Sequence, residues 1–198
     1  ETIGKNSGFL YRQTKNNWFR PSLNYRGLYL IQDVGENSEN SQWINMQIDG
    51  NLVLKFGEND KYLFVGSLGY APTPLTTPST GNNSNLRSRE HYFALKTSDH
   101  FTIFLGMMDK IFGIKNDNHT YYNRSITSLG QNDQTHGALI HYDKKKLSIG
   151  VQAFLGSLFQ NSSLRQVGAN SQVSYSFTPS FQIGNSILYS KSDYLQSI

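Results

Sequence analysis

Apolar and polar residues alternate one for one along most of this chain. Ile44, Met46, Ile48, Leu52, Leu54 and Phe56 share one parity, with Gly50 as the gap. Asn45, Gln47, Asp49, Asn51 and Lys55 share the other, with Val53 as the apolar exception. Successive side chains of a strand point to opposite faces, so this period predicts a strand with one oily and one wet face. At Ile44 to Phe56 it is about twice the usual strand length of roughly 5–6 residues. The same alternation returns over residues 61–70, 88–96, 101–108, 135–142, 147–155, 166–177 and 181–190, and more faintly over 22–32. Residues 1–20 are poorly defined, and Gly8 to Thr14 is a candidate tenth strand.

The connections are equally patterned. Short turns are expected at 57–60, 97–100, 143–146 and 178–180, and long loops at 33–41, 71–87, 109–134 and 156–165. Every second connection of an up-and-down meander lies on the same rim, so one rim carries turns and the other carries loops. A soluble sandwich would show Greek-key crossings and shorter strands. Long two-faced strands, asymmetric rims and aromatics near strand ends (Tyr62, Tyr70, Phe101, Tyr142, Tyr175, Phe177, Phe181, Tyr189) together predict an all-β, antiparallel, up-and-down transmembrane β-barrel. It forms one domain over residues 1–198, with nine or ten strands visible or as part of a larger barrel.

Composition changes this picture little. The chain has 198 residues, 37% of them hydrophobic and 13% aromatic, and a mean hydropathy of -0.50. Low mean hydropathy is compatible with a barrel, because only alternate residues face lipid. No apolar run is long enough for a membrane helix. The absence of cysteine excludes disulfides, thiolate metal sites and cysteine nucleophiles. The formal charge of +4 is scattered, with Lys144-Lys145-Lys146 as a solvated turn, which argues against a nucleic-acid surface. The chain starts at Glu1 without a signal peptide and ends without an aromatic, which reads as a processed or excerpted form.

In its architecture the stretch from 22 to 190 resembles the porin-like outer-membrane β-barrel proteins of Gram-negative bacteria. Phe112-Gly113-Ile114, Asp117, His119-Thr120, Tyr122, Arg124, Gln131, Asp133 and His136-Gly137 also resemble a segment of uncharacterised members. The resemblance implies the bacterial outer membrane, contact with its lipid, a passive path for small hydrophilic solutes, and an oligomer as an option. It implies no cofactor. A non-transport barrel serving adhesion, an envelope complex or lipid modification is the alternative, and a soluble ligand-binding barrel is a third.

The wet face supplies the expected pore lining: Asn45, Gln47, Asp49, Asn51, Lys55, Lys96, Gln152 and Gln172. Amides and hydroxyls dominate it, so selectivity is expected to be weak, tilted toward anions by the net charge. On this view Val151→Arg blocks assembly and Gln152→Arg is tolerated. The loop 109–134 is the most charged connection, and Lys115, Asp117, Arg124 and Asp133 are the expected constriction, where close charges in a narrow path are poorly screened. A solvated surface loop is the plainer reading. His119 with Ser125 or Ser128 and Asp117 or Asp133 can be drawn as a triad, but no Gly-x-Ser-x-Gly elbow accompanies it, so no enzyme is expected. His91, His100, His119, His136 and His141 lack metal-ligand spacing, and no metal is expected. His91 and His136 are read as interfacial or packed on strands.

Overall fold

The computed structural model describes residues 18–33, 39–70, 86–113, 133–178 and 180–192. They form one antiparallel sheet of nine strands in sequence order. The strands are β1 (Phe19–Asp33), β2 (Glu39–Phe56), β3 (Tyr62–Tyr70), β4 (Leu86–Lys96), β5 (Phe101–Met108), β6 (Thr135–Lys144), β7 (Leu147–Phe154), β8 (Val167–Thr178) and β9 (Phe181–Lys191). The all-β meander expected from the alternation is therefore present. Its closure into a barrel is not: β1 and β9 do not pair among the described residues. Both are odd-numbered in an alternating meander and so run the same way. A direct seam between them would be parallel, and antiparallel closure requires an odd number of further strands. The candidate strand at Gly8 to Thr14 lies outside the described residues. No helix among them is long and apolar enough to cross a membrane, a fact that carries no weight for strands.

β1 and β2 extend beyond the stretches read from sequence, to Phe19–Asp33 and Glu39–Phe56. The connection between them shrinks to residues 34–38, so it does not belong with the long loops. Pro21 sits inside β1, a position open to proline because, among the described residues, β1 has a strand on one side only. The other rims keep the expected asymmetry. β6 and β7 are joined by Lys145 and Lys146 alone, with Lys145 in the left-handed region at φ 48°. At the β2–β3 turn Asn59 and Asp60 are left-handed, which their short polar side chains tolerate.

The two faces differ as the alternation requires. Leu105 and Val151 are each 53% exposed on the outer face, while Gln152, next in sequence, is 0% exposed on the inner face. Outer residues such as Phe64, Leu68, Ile140, Val173, Ile183 and Ile187 are also exposed. At the short-turn rim the outer aromatics meet in pairs, stacked at Phe56–Tyr62, tilted at Phe101–Tyr142 and edge-on at Tyr175–Phe177. Ring centroids lie 5.6 Å apart for Phe56–Tyr62, 4.8 Å for Phe101–Tyr142 and 4.9 Å for Tyr175–Phe177.

The inner face is less uniformly polar than the amide-rich lining expected. Val65, Ala94, Leu139 and Phe154 are buried there, so part of the interior is packed with apolar side chains. Two bulges re-aim strands. In β4 an extra residue lies opposite Ser67, whose hydroxyl accepts from Glu90 N at 2.8 Å and donates to Glu90 O at 3.3 Å. In β2 the register passes from Gln47 to Asn45 opposite Arg26 and Gly27, skipping Met46. One extra residue inverts the parity of everything beyond it.

Candidate functional site

The inner wall of β7–β9 is crossed by the chain segment that follows β5. Residues 109–113 leave the end of β5 and bind one strand after another. The amide N–H of Ile111 donates to Gln152 Oε1 of β7 at 2.9 Å, and Gln152 Nε2 donates to the carbonyl of Asp109 at 3.3 Å. Gln172 Nε2 of β8 donates to the carbonyl of Gly113 at 3.0 Å. The amide of Gly113 donates to Ser186 Oγ of β9 at 2.9 Å. Asn170 Nδ2 supplies a second donor to Gln152 Oε1 at 3.1 Å. An amide side chain suits this work because it accepts and donates at once, matching both groups of a peptide unit.

Local sequence makes room for the crossing. Ile111 lies against β7 where Gly150 has no side chain, and a Cβ there would collide with Ile111 Cδ1. Gly113 is left-handed at φ 62°. Lys110 is buried, donates to Gln166 Oε1 at 2.7 Å, and lies 5.4 Å from the centre of the Phe154 ring. Burial lowers its pKa, with the charge of Asp133 acting the other way. Asp109 Oδ1 accepts from Gln134 Nε2 at 3.0 Å, which ties the start of the segment to the residue before β6.

The wall of β2–β4 is built on charge. Asp49, buried, faces Arg89 with 3.5 Å between Oδ1 and Nε. The carboxylate occupies space left by Gly69, where any Cβ would collide with Asp49 Oδ1. Nearer the short turns, Lys55 bonds Asp60 at 3.0 Å.

Of the residues expected to line a pore, Asp49, Asn51, Lys55, Gln152 and Gln172 lie on the inner face. Lys96 is exposed at the end of β4. Asn45 does not line the interior. The β2 bulge turns it to the outer face, where its Oδ1 accepts from Tyr25 at 2.8 Å and from Trp43 Nε1 at 2.9 Å. The side chain of Gln47 lies outside the described residues. So do Lys115, Asp117 and Arg124 of the expected constriction, together with the triad residues His119, Ser125 and Ser128. Asp133 is described, exposed at the return to β6. Gln152 is too enclosed for the tolerance of arginine expected from the alternation, since it is fully buried beneath Ile111.

Sequence reasoning passed over Lys110, Ile111 and Gly113 as a bridging segment, and Arg89 and Gly69 as the seat of Asp49. The inward glycine of β7, Gly150, was the available signal that something approaches that wall. Gly168 serves the sheet itself, since a Cβ there would meet the Phe154 ring and the β9 backbone.

On the outer face, near the long-loop rim, His91 and His136 meet with Nε2 atoms 3.0 Å apart. The ring of Phe159, from the loop between β7 and β8, contacts both, at 5.8 and 5.6 Å between centroids. Both histidines are packed on strands, as read from their alternation with apolar neighbours. No protein-family model matches the chain, and no curated protein matches it in sequence.

Proposed function

We propose that this chain forms the wall of a porin-like outer-membrane β-barrel, a passive path for small hydrophilic solutes across a bacterial outer membrane. The observation that carries this reading is the inverted polarity of the sheet. Its exposed face is apolar, from Phe19 and Leu23 on β1 to Ile183 and Ile187 on β9, while Gln152 and Asn170 are buried on the other. Water penalises such an arrangement, and hydrocarbon outside with polar filling inside rewards it. The dimensions agree. From Val167 to Tyr175 on β8 is roughly 27 Å of strand at about 3.4 Å per residue, or roughly 20 Å of height at a tilt of about 40°, against an apolar band of about 25 Å.

Inside, the segment 109–113 narrows the space in front of β7–β9. The formal net charge of +4 is in keeping with a weak preference for anions. Closure then joins the β1 and β9 edges through further strands of this chain or of a neighbouring one.

A second reading, a barrel filled inside and without transport, draws support from the buried cluster of Leu139, Phe154 and Met108 beside the crossing segment. Two measurements decide. The protein is expected to need detergent or lipid for solubility, and its absence from the detergent phase removes the membrane assignment. In planar bilayers it is expected to give discrete conductance steps with modest anion selectivity. Stable insertion without conductance favours the filled barrel.

A further inference from the structure

We propose that His91 and His136 form a proton-sensitive clasp that holds the loop between β7 and β8 against the outside of the sheet, and that acid releases it.

The hydrogen bonds around the two rings run in one direction only. The amide N–H of Leu158 donates to His136 Nδ1 at 3.1 Å. That nitrogen is therefore an acceptor, and the proton of the neutral ring sits on Nε2. His136 Nε2–H then donates to His91 Nε2 at 3.0 Å. His91 accepts on Nε2, so its own proton sits on Nδ1, which donates to Ser88 Oγ at 2.8 Å. The chain runs Leu158, His136, His91, Ser88, and it has this one neutral arrangement. A proton added to His136 sets Nδ1–H against the Leu158 N–H. A proton added to His91 sets two N–H groups against each other across 3.0 Å. Either event breaks a link. His136 Nε2 also offers no lone pair to a cation while Leu158 holds Nδ1.

The loop is built to rest on this pair. Leu155 N donates to His136 O at 2.8 Å and His136 N to Gly156 O at 2.9 Å, which extends the ladder past the end of β7. Gly156, at φ 76°, then turns the chain. Arg165 gathers the loop by donating to Gln160 O at 3.0 Å and Leu158 O at 3.2 Å. Beneath the clasp lies Met107, in register with both histidines on adjacent strands. Met107 is 5% exposed, whereas Leu105, two residues along the same face, is 53% exposed. Met107 lies between the two histidines, whose rings meet across its strand. The groups facing the pair are Ser88 from β4, Met107 from β5, and the Gly156 backbone, Leu158, Phe159 and Arg165 from the loop; burial, His91 and Arg165 oppose the charged His136 ring, while the Gly156 backbone favours it. Glu90 of β4 acts instead on Tyr92 of the inner face. Arg165 is the charged group on the loop side, and its positive charge adds repulsion once His136 is protonated. Linkage fixes the sign: the neutral pair holds the loop above the imidazole range, and the hold is lost as pH falls through it.

The test uses the full chain refolded in detergent micelles, with nitrogen-15 spectra of the imidazoles and amide exchange of the loop. At pH 7.5, His136 is expected as the Nε2–H tautomer and His91 as the Nδ1–H tautomer. Exchange at Leu158 and Phe159, corrected for intrinsic rates, is expected to quicken at least tenfold between pH 7.5 and pH 5. His136→Asn places an amide oxygen near the former Nδ1, so its loop should stay protected at both pH values. A proton on His136 Nδ1 at pH 7.5 overturns the clasp, as does a flat exchange profile in the wild type. A His136→Asn protein that keeps the acid response overturns it as well.

Discussion

The strands β2–β4 and β7–β9 belong to one sheet and present the same face of it, built on opposite principles. On β2–β4 a carboxylate and a guanidinium, Asp49 and Arg89, are set 3.5 Å apart in a niche left by Gly69. On β7–β9 the inward groups are neutral, Gln152, Asn170, Gln172 and Ser186, and three of them hold the backbone of residues 109–113. The difference teaches where burial comes from in a single sheet. A one-layer sheet buries little by itself, so Gln152 reaches 0% exposure because a strap of chain lies over it. Binding a strap needs paired donors and acceptors without charge.

The comparison is most exposed to a change on the charged wall. Arg89→Met removes the guanidinium that faces the buried Asp49 carboxylate, and a loss of about 3–5 kcal/mol in the urea unfolding free energy is expected. An unchanged midpoint would mean that Asp49 is hydrated and that the β2–β4 wall is open to bulk water. Val151→Arg tests the outer face beside the amide wall. With lipid outside it should lower stability in vesicles by about 2–4 kcal/mol. Wild-type assembly of that variant would place Val151 in water.

Gln152→Ala removes the acceptor of Ile111 N–H and Asn170 Nδ2 together. About 1–3 kcal/mol is expected from the buried donors left behind, with faster exchange at the Ile111 amide. In an open channel the same variant should raise conductance, since the strap loosens. Smallest is Lys55→Ala, which breaks a partly exposed pair with Asp60 and should cost less than about 1 kcal/mol. A larger loss would mark the short-turn rim as an ion network.

What the sequence revealed and what it hid follow from the range of each signal. Strand positions and outward faces were readable because alternation is a local property with a period of two, and Phe101–Met108 falls on the expected residues throughout. The outward turn of Asn45 was not readable. The bulge at Met46 arises from how β2 pairs with Arg26 and Gly27 of β1, and no pattern within β2 records it. The inward path of residues 109–113 was hidden for the same reason: its partners lie on β7, β8 and β9, and its own sequence reads as a charged loop. Large apolar residues at inward positions, Leu139 and Phe154, carry no mark of their own within the alternation, although they show where the inner face is packed.

The strap also sets an order of events. Each hairpin of the meander joins neighbours in sequence and can form early, since short loops close at small entropic cost. The bonds made by Ile111 and Gly113 reach partners 41, 59 and 73 residues away. Residues 109–113 therefore wait, already synthesised, until β9 has been laid down. The interior is fitted last, after the wall that holds it has been raised.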